Sequence, residues 1–147
     1  MTHKFRQHST NSLELIDTMA NNSTNTTEDE VDFPSDLYSQ ASKKSAEDKL
    51  SFTVQILEEM VSLFEEDHSA ASWEEKTVDH FLIVVTQQAD GLKSCIRGHS
   101  HKNKKLHMYF KRLSGHVLKR MGHSAEAWEL IREEMKTHLI RAEQLLL

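Results

Sequence analysis

The chain has 147 residues, Lys+Arg 18 against Asp+Glu 23 for a net charge of −5, and only Gly 4 and Pro 1. That length suits one domain with a modest core. The scarcity of the two punctuating residues argues against a many-turned β sandwich and for long helices. The single cysteine, Cys95, excludes an intramolecular disulfide, and no segment reaches the roughly 18 apolar residues of a membrane span.

In chain order, Met1-Thr-His-Lys-Phe-Arg-Gln-His8 has no apolar run of the signal-peptide kind. Leu13, Ile16 and Met19 then offer one short apolar edge, which predicts a weak first helix within residues 1–20. Residues 21–32 are polar and aperiodic, a surface loop. Three overlapping sequons begin there at Asn21, Asn22 and Asn25. In a secreted protein these are glycan acceptors; in an Asn/Ser/Thr-rich tract they also arise by chance, and both readings stand. Pro34 pushes Phe33 away from helical geometry, and Phe33, Leu37 and Tyr38 form a small apolar cluster suited to pin a loop spanning 21–45.

From residue 46 onward the pattern is helical. Leu50, Val54, Leu57, Val61 and Phe64 recur at alternating spacings of four and three, with Met60 and Leu63 widening the stripe. Ser72 with Glu75 reads as a capping box opening the next helix, which carries Val78, Phe81, Leu82, Val85, Ala89, Leu92 and Cys95. Its run Phe81-Leu-Ile-Val-Val85 is apolar on nearly all sides and predicts neighbours on several faces. After a polar break at 98–103 come Leu106, Phe110, Leu113, Val117 and Met121, with bases around them and Gly122 placed to end the helix. Ser124 caps the last helix, whose core stripe is Trp128, Ile131, Met135, Leu139 and Ala142. The sum is an all-α bundle of five helices in a single domain, 1–147, with its main body at 46–147.

Charge is unevenly spread. Residues 46–95 hold 11 acids and 3 bases, whereas residues 96–147 hold 5 acids and 11 bases. Such polarity either steers a charged partner or lets two halves of one bundle attract each other. The chemistry of an enzyme is missing. Glu65 and His68 form the only Glu-x-x-His pair, whereas a di-iron bundle needs two with further inward carboxylates. His99 and His101 sit in a polar loop without a neighbouring Cys or carboxylate. No nucleophile elbow, phosphate loop or zinc-protease helix occurs, so no cofactor, metal or small-molecule substrate is expected. The basic stretch Arg97–Arg120 alternates with a core stripe and offers only Tyr109 for stacking, which speaks for a solvated face over nucleic-acid binding, with heparin-like glycans as a further possible contact.

Residues 124–139 read Ser-Ala-Glu-Ala-Trp-Glu-Leu-Ile-Arg-Glu-Glu-Met-Lys-Thr-His-Leu. Their Ala127-Trp-Glu-Leu-Ile-Arg132 resembles the last helix of type I interferons. Tyr109-Phe-Lys111, Val78-Asp-His-Phe-Leu82, Leu92-Lys-Ser-Cys95 and Val31-Asp-Phe-Pro-Ser-Asp-Leu-Tyr38 resemble the teleost two-cysteine group in the same order. The resemblance covers residues 31–147. It implies a helical-cytokine bundle of five helices with two long crossover loops, and a secreted antiviral cytokine that bridges two class II cytokine receptor chains and activates Janus kinase–STAT signalling. It further implies Ala127 and Trp128 in the core. The high-affinity receptor would meet Arg132, Glu133, Lys136 and Thr137 on the outer face of the last helix, with Phe33 and Leu37 from the preceding long loop. The second receptor would meet the second and third helices. In that family the counterpart of Cys95 bonds to an early cysteine that follows a leader peptide. The first residues here match neither, which leaves two readings open: an alternative start that yields a leaderless intracellular helical interaction protein, or a sequence truncated at its front.

Overall fold

Six α-helices follow one another in the computed structural model, which describes residues 2–19, 31–71, 73–96 and 102–146: α1 (Thr2–Thr18), α2 (Ser35–Ser42), α3 (Ala46–Phe64), α4 (Glu75–Lys93), α5 (Lys104–Arg112) and α6 (Ala125–Leu146). No strand occurs among the described residues. The helix starts follow from short polar caps. Ser45 accepts a hydrogen bond from the Asp48 amide, Asn103 from the Leu106 amide and Ser124 from the Ala127 amide. The cap of α4 is Glu74, without a side-chain bond; the capping box expected at Ser72 falls on a residue outside the described ones.

The five expected helices are present as α1, α3, α4, α5 and α6; α2 is the addition. It lies inside the segment assigned to a long loop, because eight residues are too few to show a period. Leu37, Tyr38 and Ala41 are buried on one side of it, so tertiary packing rather than propensity holds it helical.

Cross-helix bonds fix the directions. Gln55 donates to the Asn103 carbonyl at 3.0 Å and accepts from its amide at 2.8 Å. His107 meets Glu59 at 2.8 Å and Ser114 donates to Glu66 at 2.6 Å. Each pair is separated by 48 residues, so α3 runs parallel to the chain from α5 onward. Ser9 donates to Glu143 while Arg132 donates to the Ile16 carbonyl, so α1 lies antiparallel to α6. Helix α1 packs on α4 and α6; α3 packs on α2, α4, α5 and α6.

The centre of the bundle is therefore α3, not α4. Residues 52–57 of α3 are buried without a break, including Thr53 and Gln55, whose polar groups are satisfied by the Lys49 carbonyl and by Asn103. Ile83, in the all-apolar run of α4, is 55% exposed. Between α5 and the final turn, Leu113–Lys119 is a π segment. Its wider turn shifts the inward register by one residue, so Leu118 is buried and the expected core residue Met121 points out. Gly122 and His123 then reverse the chain with φ of 66° and 54°.

Candidate functional site

Helix α6 carries the candidate surface. Its inner stripe of Ala127, Trp128, Ile131, Met135, Leu139 and Ala142 is buried throughout. Trp128 stacks on Phe64 with ring centroids 5.8 Å apart, meets Trp73 edge-on at 5.4 Å and donates its indole N–H to the Asp67 carbonyl at 2.9 Å. Trp128 is thus packed against the end of α3 and the segment behind it, and Ala127 is fully buried beside it.

Arg132 is not on the outer face. Its side chain is 3% exposed. Its Nε donates to both oxygens of Glu129 at 3.1 Å, Nη2 to Glu129 at 2.6 Å and also to Glu133, and Nη1 to the Ile16 carbonyl at 3.2 Å. The placement drawn from the helical stripe is corrected because α1 covers this side of α6. Arg132 clamps the two helices together, and its forked guanidinium suits two acceptors at once.

The other expected residues of α6 do reach solvent. Glu133 and Thr137 are exposed, and Lys136 is half-buried with its ammonium 2.8 Å from Asp17 of α1. Ile140, 39% exposed, continues the same side one turn beyond Thr137. It was missed, although its position off the Trp128–Ala142 stripe was legible. The outward face is therefore Glu133, Lys136, Thr137 and Ile140, bordered by Asp17.

Leu37 also differs from expectation: it is 7% exposed. Formation of α2 turns it inward. Phe33 is half-buried, 4.6 Å from the His138 ring and 5.6 Å from Tyr38, with the Arg141 guanidinium 5.7 Å above its face. Both residues line a groove of about 730 Å³ together with Lys104, Lys105, Met108 and Arg112. Cys95 is a half-buried free thiol just after α4, and Asn21, Asn22 and Asn25 lie outside the described residues.

A buried polar network lies under this region. His138 is fully buried, with Nδ1 2.6 Å from the Tyr38 hydroxyl and Nε2 2.9 Å from the Tyr109 hydroxyl. Tyr109 donates to Glu134, so its oxygen is left to accept from Nε2–H, and Nδ1 accepts from Tyr38. One neutral tautomer satisfies all three groups. Burial, with the nearby Arg141 charge adding, pushes the His138 imidazole down to about 3. Burial likewise holds the Tyr38 phenol well above its ordinary value. As to metals, no three His, Cys, Asp or Glu side chains converge among the described residues.

Comparison with known proteins places this geometry. A family model of the interferon alpha/beta domain matches residues 1–147. Interferon a3 of Oncorhynchus mykiss is 34% identical over 139 residues, 95% of this chain and 79% of that protein. Among solved structures, zebrafish interferon 1 superposes with a TM-score of 0.84 at 31% identity, covering 97% of this chain and 94% of that one. Zebrafish interferon 2 superposes with a TM-score of 0.77 at 20% identity, covering 95% and 97%, a likeness of fold.

Proposed function

The chain belongs to the interferon alpha/beta family as a type I interferon of the teleost kind, and from that premise we propose that it is secreted and signals by bridging two different class II cytokine receptor chains. Juxtaposing the two chains brings their Janus kinases together, activates STAT factors and induces antiviral genes. The observation that carries this reading is the outer face of α6. Glu133, Lys136 and Thr137 surround an exposed aliphatic, Ile140, on a helix whose opposite side is locked into the core. An apolar anchor ringed by polar side chains on a rigid element is the usual anatomy of a receptor contact. Rigidity matters because a preformed surface loses little freedom on binding. Arg132 serves as a positioning residue, holding α6 against α1 beneath that face. Ile83, exposed on α4, offers a separate apolar anchor for the second receptor chain.

The test is the double variant Thr137→Glu, Ile140→Glu. Both positions are solvent-facing, so stability should change by about half a kcal/mol or less. Affinity for the high-affinity receptor chain and induction of antiviral transcripts should both fall by about tenfold or more. Parental affinity in the folded double variant would move the contact elsewhere. A folded parent that induces no transcript in fish cells at any dose would remove the cytokine reading itself.

A further inference from the structure

The second surface is basic. No Asp or Glu occurs between Asp90 and Glu126, while the same stretch carries Lys and Arg throughout, in a chain whose net charge is −5. The structure gathers much of that charge on one ridge. Lys104, Lys105, Lys111 and Arg112 are all exposed on α5, opposite the buried Leu106, Tyr109 and Phe110. Residues seven apart on an α-helix lie about 20° apart around the axis and about 10.5 Å apart along it. Lys104 and Lys111, and Lys105 and Arg112, therefore form two cationic pairs on one side, spaced by two turns, with exposed Met108 between them.

Two observations separate this ridge from an ordinary solvated helix face. The first is that its charges are not used internally. Ion pairs around α5 include His107 with Glu59 and Lys93 with Glu58. Lys104, Lys105, Lys111 and Arg112 pair with no carboxylate among the described residues; Asp32 and Asp36, across the groove, stay unpaired as well. The second is their position. Helices α2, α3, α4 and α6, though not α1, each place an acid in the first turn, as the positive end of the helix dipole favours. In α5 the first two residues are Lys104 and Lys105, with no acid in that turn. Charge of the wrong sign for helix stability, kept unpaired at the surface, points to a partner outside the chain.

The geometry points to a binding ridge for a linear sulfated polysaccharide of the cell surface. A periodic row of cations matches a periodic row of sulfates, and release of counterions drives such contacts. A nucleic acid fits less well. Base stacking needs an accessible ring, and the aromatics of α5, Tyr109 and Phe110, are both buried. The consequence is a cytokine retained near the cells that release it, with the α6 face free to meet receptor.

The probe is immobilised heparin with the full chain in solution. The parent should bind with an affinity that falls steeply as salt rises. The triple variant K105Q/K111Q/R112Q should bind about tenfold or more weakly and with a shallower salt dependence. The variant K43Q/K44Q/K76Q, which removes three exposed lysines elsewhere, should remain close to the parent. A single-stranded oligonucleotide should displace the protein less readily than a heparin fragment of equal charge. On cells, heparinase should abolish surface retention of the parent and leave parent and K105Q/K111Q/R112Q equally potent in signalling. The proposal is overturned if the parent fails to bind at physiological salt, if both variants lose binding equally, or if the oligonucleotide competes better. It is equally overturned if K105Q/K111Q/R112Q still signals worse than the parent after heparinase, which would make the ridge a receptor contact.

Discussion

His138 occupies a place where the stripe of α6 calls for an aliphatic residue, three after Met135 and four before Ala142. Its ring is neutral because charging it there would strip an imidazolium of water. The folded value, about 3, lies below the ordinary 6.5, so between those values the unfolded chain binds the extra proton. Stability is therefore fully present above about pH 6.5 and declines as pH falls toward 3, at up to roughly 1.4 kcal/mol per pH unit. Glu134, reached through Tyr109, and Arg141 are the charged groups facing the ring. His138→Gln should lower stability at pH 7 by about 1–3 kcal/mol through imperfect bonding to the two tyrosines. It should also flatten the profile from pH 6.5 to 4, as urea titrations at a series of pH values would show; an unchanged slope would assign the acid sensitivity to other groups. The stripe read from the sequence leaves out His138, although its spacing from Met135 and Ala142 allows an inward place, whereas nothing in the pattern marks Arg132 as buried. A helical stripe tells how far a residue stands from one core, and it is silent about a second element that covers the flank. The aliphatic stem and forked head of Arg132 let it lie buried there with Glu129 and the Ile16 carbonyl satisfying it.

At the scale of elements, the long amphipathic stretches declared themselves, and the exceptions share one physical cause. Helix α2 is too short to show a period, and α3 buries Thr53 and Gln55 where a sequence pattern reads polar positions as outward. In both cases neighbours decide, and neighbours are not written locally. The π segment Leu113–Lys119 is a similar case, because nothing in Leu-Ser-Gly-His-Val-Leu-Lys marks a widened turn, yet that turn exchanges Leu118 for Met121 in the core. The stop after it was legible. Gly122 has φ of 66°, and a Cβ built there meets nothing within 4 Å. Gly122→Ala should thus cost about 1 kcal/mol purely from the left-handed backbone, with no packing contribution. Thermal melts would check this, and a loss of about 3 kcal/mol or more would mean that the turn is constrained by contacts as well as by its dihedral angles. Receptor-face activity should be untouched, because the turn lies at the far end of the π segment from α5 and before the first residue of α6.

Across the whole molecule, α6 joins two chemically different ends of one bundle. At its start, Trp128 and Trp73 meet with Phe64, Phe81 and His68. Ten residues later, about 15 Å along the helix, His138 gathers Tyr38, Tyr109, Phe33 and Phe110. The chain has Trp 2 and Tyr 2, so each end carries its own spectroscopic reporter. At neutral pH a single cooperative core should lose its tyrosine and tryptophan near-ultraviolet circular dichroism at the same temperature. Acid should separate them. The fully buried imidazole among the described residues sits at the tyrosine end, and below about pH 6.5 unfolding of that end is favoured by the proton His138 then takes up. Opening there needs only Phe33, α2 and the second half of α5 to detach from α6, a local event of lower free energy than global unfolding. Between pH 6.5 and 4 the tyrosine band should therefore melt several degrees below the tryptophan band, and His138→Gln should bring the two back together. If the bands stay coincident down to pH 4, the bundle transmits the strain of the charged imidazole along the entire length of α6. If the tryptophan end melts first, His138 is not the group through which acid loosens the fold.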